Sequence, residues 1–325
     1  MNENDFKSRL DLKEFSKSIT ALRSQLSAVV LGQEQLTDML IVALLSNGHV
    51  LIEGMPGVAK TLSAKLLARC VDASFRRIQF TPDLMPSDII GTSVYNFKTS
   101  EFEFKKGPLF ANILLADEIN RSPAKTQSAL FEAMEERQIT VDGTTYKLND
   151  PFMVLATQNP VEHEGTYRLP EAQLDRFLFK LSVDYPGAEN ESRILKSYHE
   201  GKPLPDIETI NPVIGSEEIV LLKQTSLQVI AEEKLLDYIV KLVGATRQDP
   251  SLFFGASPRA SIAILVAAKV VACMQERDFL TPEDIRYVCA PVLRHRIALT
   301  PEKEMEGIDA DTVIRQIIDK IEVPR

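Results

Sequence analysis

One segment limits the possible folds more than any other. His49-Val50-Leu51-Ile52-Glu53 reads as a short apolar strand. Gly54-Met55-Pro56-Gly57-Val58-Ala59 follows as a Gly/Pro loop, and Lys60-Thr61 opens a helix that runs to Cys70. Strand, glycine-bearing loop and helix in that order are the context of a phosphate-binding loop. Glycines let the backbone wrap closely around phosphate oxygens, and the N–H groups of the loop and helix N-terminus present positive potential. Lys60 is expected to reach the β- and γ-phosphates of a nucleotide, and the Thr61 hydroxyl to ligate Mg²⁺. The expected nucleotide-binding residues are therefore Gly54, Pro56, Gly57, Val58, Ala59, Lys60, Thr61 and Leu62. The usual pattern G-x-x-x-x-G-K-[ST] asks for glycine where this chain has Ala59. Taken alone, the segment also reads as an ordinary strand–turn–helix junction.

A second motif decides between these readings. Ile113-Leu114-Leu115-Ala116-Asp117-Glu118 is an apolar strand ending in two carboxylates. Paired acids at a strand end are costly unless a cation or a water shell satisfies them. Asp117 is expected to hold Mg²⁺, directly or through water, and Glu118 to polarise an attacking water. A solvated strand end would explain one acid in isolation. It explains two poorly when a phosphate loop lies upstream.

Around these motifs, strands and helices alternate. Strand-like runs occur at His49–Glu53, Arg76–Phe80, Asn112–Asp117, Phe152–Thr157 and Phe177–Val183, with helical stretches such as Lys60–Cys70 and Ala124–Glu136 between several of them. This predicts a parallel sheet with helices on both faces. Two segments break the alternation as hairpins, Ile90–Phe104 and Gln138–Leu148, the second joined through Asp142-Gly143. Asp-Gly between alternating strands signals a turn whose two residues both need positive φ. Upstream, Leu12, Phe15, Ile19, Leu22 and Leu26 lie on one face of an opening helix that stops at Gly32, and a second helix covers Gln33–Ser46. Beyond Tyr185-Pro186-Gly187 the pattern turns helical, with helices expected near Glu189–His199, Ser216–Gln228, Glu232–Gln248, Pro258–Arg277 and Pro282–His295. Ser257-Pro258 and Thr281-Pro282 each place a hydroxyl at an N-cap and proline at the first helical position. The helix after Ser257 is apolar nearly all round and is expected to be the core of a small helical domain. The expected division is a nucleotide-binding core over 1–186 and a helical lid over 187–325.

The formal net charge is −9, with 37 Lys+Arg against 46 Asp+Glu. That balance disfavours phosphate-backbone binding as the main activity, because nucleic-acid binders usually carry a basic face. Cys70, Cys273 and Cys289 are odd in number and far apart, with no C-x-x-C, so a disulfide framework or zinc site is not expected. The apolar runs are too short to span a bilayer. The acidic start Met1-Asn2-Glu3-Asn4-Asp5 does not resemble a secretory signal, and a cytoplasmic location is expected.

Gly54–Thr61 and Ile113–Glu118, followed by Ile119-Asn120-Arg121-Ser122-Pro123-Ala124-Lys125-Thr126-Gln127, resemble the MoxR family of AAA+ ATPases. The likeness runs from about Val30 to the last helices and includes Ala156-Thr157-Gln158-Asn159-Pro160 and Gly255-Ala256-Ser257-Pro258-Arg259. Alanine before the loop lysine is common in that family. The resemblance implies a P-loop AAA+ core with a five-stranded parallel sheet, a C-terminal helical lid, and hydrolysis of ATP to ADP with Mg²⁺. It implies that Asn159 positions the water beside Glu118, and that Arg176 is an arginine finger pointing into the next subunit's site. Arg259 it implies to be a lid arginine aimed at the nucleotide, while Val30, Leu31 and Gln33 contact the base. Arg121 and Arg168 are basic residues near the implied subunit boundary, with either a structural or a trans-acting role. Phe97, Phe102 and Phe104 of the first hairpin either contact substrate or pack the hairpin onto the core. His163 is read as a surface-loop residue. The resemblance further implies a homo-oligomer, a hexameric ring, and a chaperone-like motor acting on a protein client in complex assembly or metal insertion, with proteins bearing von Willebrand factor A domains as the suggested class.

Three other functions stay open on the sequence: a nucleic-acid motor, a chelatase-like subunit, and a nucleotide-gated scaffold that hardly turns over. The acidic balance speaks against the first. The second has the same ATPase core and differs only in its partner. The presence of Lys60, Thr61, Asp117, Glu118, Asn159, Arg176 and Arg259 together speaks against the third.

Overall fold

The computed structural model describes residues 10–55, 57–160, 167, 169–201 and 207–324. Two helices come first, α1 (Lys13–Val29) and α2 (Glu34–Leu45). Phe15, Ile19, Leu22 and Leu26 are buried on one face of α1, as the spacing predicts. Arg23 on α1 grips both carboxylate oxygens of Asp38 on α2, at 2.7 and 2.9 Å, which fixes the pair's relative rotation.

The alternating region follows as β1 (Val50–Gly54), α3 (Lys60–Cys70), β2 (Phe75–Gln79), the short α4 (Pro86–Ile90), β3 (Gly91–Asn96), β4 (Glu101–Lys106), β5 (Ile113–Asp117), α5 (Ala124–Glu136), β6 (Gln138–Val141), β7 (Thr144–Lys147), β8 (Met153–Gln158), the short α6 (Glu171–Leu174) and β9 (Phe179–Val183). Five of these strands form one parallel sheet in the order β2-β5-β8-β1-β9. β5 and β8 are central, so both faces are covered, and Ile113–Asp117 is buried along its whole length. Because all five run the same way, β1, β5 and β8 end on the same edge, where ligands of open α/β sheets bind.

The two hairpins form as expected, β3 with β4 and β6 with β7. Asp142 and Gly143 at the second turn have φ of 49° and 76°, the left-handed pair the sequence calls for. Phe104 stacks on Tyr146 at 4.9 Å and meets Phe110 at 5.8 Å, so it joins the hairpins to each other and to the 108–110 turn. Phe97 and Phe102 differ. They are 88% and 73% exposed and touch only Tyr95 among the rings of the described residues.

The remaining chain forms α7 (Ala188–His199), α8 (Ser216–Leu227), α9 (Glu233–Thr246), β10 (Leu252–Phe254), α10 (Pro258–Met274), α11 (Pro282–Leu293), β11 (Ala298–Leu299), the short α12 (Pro301–Met305) and α13 (Ala310–Lys320). The small antiparallel pair β10–β11 sits inside this helical region and has no counterpart in the sequence reading, because strands of three and two residues carry no periodic signal. α10 is the central helix, packed on α8, α9 and α11 and also on α1 and α2. It is not apolar on every side in effect: Ile262 is exposed, while Ile264, Ala267, Val270 and Val271 are buried. Its Ser257 does not cap the first turn. The hydroxyl donates instead to Asp175, at 3.1 Å. Thr281 does take part in a reciprocal cap with Asp284, whose carboxylate Arg277 also grips at 2.6 and 2.7 Å.

One apolar cluster runs through α1, α2, one face of the sheet, α8–α11 and α13, and a second lies on the other face under α5 and β6. The opening helices, which the sequence assigns to the nucleotide-binding half, therefore also support the C-terminal helices. Cys70, Cys273 and Cys289 are all buried and free, and burial pushes their thiols up to about 11, 12 and 12. No helix among the described residues is long and apolar enough to cross a membrane.

Candidate nucleotide site and a separate arginine cluster

The loop after β1 takes its form from the backbone. Gly54 pairs with Val183 of β9, and a Cβ on Gly54 would lie 2.5 Å from the Val183 carbonyl oxygen, so only glycine allows the two strands to close there. Gly57 has φ +85°, which glycine adopts without cost. The position of Ala59 is more demanding, since it too is left-handed.

 Ala59 has φ 62° and ψ 19° at the residue just before α3. This is where the usual pattern has glycine, and an L side chain in that region costs roughly 1–2 kcal/mol. The departure from the motif is thus a strained version of the same loop, not a different loop. Pro56 lies outside the described residues.

Lys60 points back across this loop. Its Nζ donates to the Gly54 carbonyl at 2.6 Å and to the Gln158 carbonyl at 3.3 Å, bridging the ends of β1 and β8. Thr61 and Leu62 follow on the first turn of α3, both half-buried. Asn159 comes directly after β8, one residue beyond the Gln158 carbonyl that Lys60 touches.

Asp117 ends β5 on the same edge. It is buried, and its carboxylate accepts from the Thr157 hydroxyl at 2.5 Å and from Arg77 Nη2 at 2.6 Å. Glu118 stands next to it with φ 55° and ψ 50°, a left-handed conformation that turns its side chain off the strand line. Its backbone N–H donates to Thr157 Oγ1 at 2.9 Å, so one threonine hydroxyl orders both acids. Glu118 Oε2 accepts from Gln79 Nε2 at 2.6 Å and lies 3.2 Å from Arg121 Nε. Arg121, left open by the sequence, therefore pairs with Glu118 of its own chain. Carboxylate and hydroxyl oxygens are the hard donors that Mg²⁺ takes, so Asp117 and Thr61 suit that ion.

Arg77 and Gln79 are absent from the sequence reading. They lie two apart on β2 and so share a face, and the pairing of Gln79 with Asp117 brings that face to the two acids. The alternation of β2 hints at a polar face. Only the β2–β5 register, a long-range fact, shows what that face touches.

The residues expected on the base side cluster at the same edge. Val30 is buried at the end of α1, Leu31 is half-buried, and Gln33 Nε2 donates to the Asp184 carbonyl at 2.8 Å, immediately after β9. A Cβ on Gly32 would meet the Asn190 side chain of α7. The 30–33 loop is therefore set between the end of β9 and the start of the C-terminal helices, next to Gly54 through Val183.

Arg176 and Arg259 are elsewhere. Arg176 Nη1 donates to Glu135 at 2.6 Å and to the Phe131 carbonyl at 2.9 Å, while Arg259 Nη2 donates to the other oxygen of Glu135 at 2.9 Å. They line a cavity of about 360 Å³ together with Asn47, Gly48 and His49, the residues that lead into β1. That is the opposite edge of the sheet from Gly54 and Lys60. Five residues of strand at roughly 3.3 Å each separate the two edges by about 16 Å. Arg259 thus lies away from the loop of its own chain, because the turn from Ser257 is anchored to Asp175, beside Arg176. Asp175 also takes Arg296, nearly fully buried, at 2.7 Å, and Arg296 donates to the carbonyls of Phe177 and Leu178. Arg168 and His163 lie outside the described residues.

His49 supports this edge from within the core. Its Nδ1 accepts from the Val154 N–H at 2.9 Å, so Nε2 carries the proton and donates to the Met134 carbonyl at 3.2 Å. Burial, reinforced by Arg137, lowers its pKa from 6.5 to about 3, and the ring is neutral.

The chain matches known proteins over nearly its whole length. Residues 49–179 match the family model of ATPases associated with various cellular activities (AAA), and residues 244–317 match the AAA lid domain. It is 50% identical to the uncharacterized protein YeaC of Bacillus subtilis over 299 residues, 92% of each chain. It is 45% identical to the chaperone MoxR1 of Mycobacterium tuberculosis over 310 residues, 93% of this chain and 81% of that one. The crystal structure of a candidate ATPase from Cytophaga hutchinsonii superposes with a TM-score of 0.89 at 42% identity, covering 97% of both chains. A phosphate loop facing two strand-end acids, on this sheet and with these relatives, makes the chain a member of the MoxR-type AAA+ ATPases.

Proposed function

We propose that the protein hydrolyses ATP with Mg²⁺ at a site shared between adjacent subunits of a ring, in the cytoplasm, and uses the cycle to remodel another protein. The observation that carries this reading is the separation of the two halves of the machinery. Lys60, Asp117 and Glu118 stand at one edge of the sheet, and Arg176 and Arg259 stand about 16 Å away at the other. One nucleotide in one chain does not span that gap, whereas a neighbouring subunit would bring its arginines to it.

In this reading the loop from Gly54 to Leu62 binds the phosphates and Lys60 leaves its two carbonyls for the β- and γ-phosphates. Thr61 and Asp117 hold Mg²⁺, which supplies charge neutralisation of the phosphate oxygens when bound. Glu118 accepts a proton from the attacking water, and Asn159 orients that water. The side-chain amide of Gln79 and the guanidinium of Arg121 hold Glu118 until then. Arg176 and Arg259 of the next subunit offset the charge that develops on the γ-phosphate. Val30, Leu31 and Gln33 line the base side. A hexamer, and a client bearing a von Willebrand factor A domain, are parts of the proposal that rest on family resemblance.

The metal requirement is tested by removal. ATP turnover should vanish in excess EDTA and return when Mg²⁺ exceeds the chelator. Turnover that continues without divalent cation contradicts the site as drawn.

A further inference from the structure

We propose that Glu135 is a positioning residue that holds Arg176 and Arg259 together as one anion-binding pair. The inference rests on the proposed action of Arg176 on a neighbour's nucleotide, and adds to it the group that sets the geometry.

The three residues come from separate elements. Glu135 is on α5, Arg176 is on the turn leading to β9, and Arg259 is in the first turn of α10. Phe131 and Glu135 are one helical turn apart, so the Phe131 carbonyl and the Glu135 carboxylate meet Arg176 from the same side. One oxygen of Glu135 takes Arg176 and the other takes Arg259. Two guanidinium groups brought this close repel, and Arg259, with a side chain 56% exposed, is free to turn into solvent unless something retains it. The nearby Asp175 is the weaker partner, since Arg296 and Ser257 occupy its oxygens and Arg259 is 3.9 Å away. Glu135 is the group that bonds both arginines and so sets their spacing.

The pair still has donors to give. Each guanidinium carries five N–H groups, and Glu135 takes one from each. Arg176 Nε–H is buried with no acceptor among the described residues. Two forks of N–H donors fixed side by side suit an oxyanion with several oxygens, as in a polyphosphate. Fixed donors contribute more to a transition state than mobile ones, because they need no reorganisation when charge develops. Since Arg259 rides on α10 and Glu135 on α5, movement of the helical region against the sheet would make or break the pair.

The test is steady-state Mg²⁺–ATP hydrolysis at a protein concentration where wild-type activity per subunit has levelled off, for Glu135→Ala, Arg259→Ala, Arg176→Ala and the double variant Glu135→Ala/Arg259→Ala. Glu135→Ala should lower kcat by about tenfold, with KM for ATP within about twofold of wild type, because the loop residues that bind the nucleotide are untouched. The double variant should be slower than Arg259→Ala alone by clearly less than the loss Glu135→Ala causes in the wild type, since the carboxylate then has only Arg176 left to hold. Glu135→Gln, with the same shape and one acceptor oxygen, should fall between wild type and Glu135→Ala. Losses that multiply in the double variant, or a Glu135→Ala enzyme with normal kcat, overturn the pairing. If Arg176→Ala also turns over normally, it is the shared-site reading that fails; if only Arg176→Ala loses activity, that reading stands and the pairing alone is lost.

Discussion

Acid should weaken this fold through His49, and the size of the effect follows from its surroundings. The ring is fully buried, donates from Nε2 to the Met134 carbonyl and accepts at Nδ1 from Val154, so neither nitrogen has room for a second proton. Its pKa is about 3 in the fold against 6.5 when exposed. A histidine whose folded pKa is depressed binds protons better in the unfolded chain. Its contribution is complete above pH 6.5 and is lost as pH falls from there towards 3. Each pH unit in that window costs about 1.4 kcal/mol, so between pH 7.5 and pH 5.0 His49 alone removes about 2 kcal/mol. The assay is urea unfolding followed by circular dichroism, since the chain has no tryptophan, on wild type and His49→Asn. The asparagine keeps an acceptor for Val154 but has no titrating group. The variant should be less stable at pH 7.5, having lost the bond to Met134 and the edge contact with Phe152. Its further loss on going to pH 5.0 should be smaller than the wild type's by about 2 kcal/mol. His295 is also buried and held well below its usual pKa, and it titrates in both proteins, so it cancels in the difference. Wild type and variant losing stability in parallel would refute the assignment of a neutral, proton-excluding ring.

Two further outcomes follow from the nucleotide edge. Ala59→Gly should stabilise the chain by about 0.5–1 kcal/mol, because relief of the left-handed alanine exceeds the extra unfolded-state freedom of glycine; urea unfolding that shows a net loss contradicts the strained-loop reading. Glu118→Gln should keep ATP binding, measured by equilibrium titration, while turnover drops about 100-fold or more, and undiminished turnover removes Glu118 from the role of base.

Much of this is legible in the sequence, and the reasons are local. A strand, a glycine loop and Lys60-Thr61 are adjacent in sequence, so their geometry is fixed by neighbours. Asp142-Gly143 specifies its own turn. The amphipathic face of α1 follows from spacing alone. What the sequence could not give depends on partners far along the chain. Gln79 meets Glu118 only through the register of β2 on β5, and Glu135 meets Arg259 across 124 residues. Ser257 has the residue type and position of a cap, yet a carboxylate 82 residues away captures its hydroxyl. The same capture sets where Arg259 lies in its own chain. Its place in the first turn of α10 is readable from the sequence, but that turn is anchored to Asp175, which Arg296, 121 residues further on, also grips.

The claim that each site is completed by a neighbour is met most directly by ATP hydrolysis measured against protein concentration, for wild type and Arg176→Ala, with sedimentation on the same samples. Activity per subunit should rise with concentration as assemblies form, and Arg176→Ala should bind ATP and assemble while losing about a thousandfold in turnover. Activity per subunit that stays flat across a range where the protein sediments as a monomer, with Arg176→Ala as active as wild type, would contradict the account.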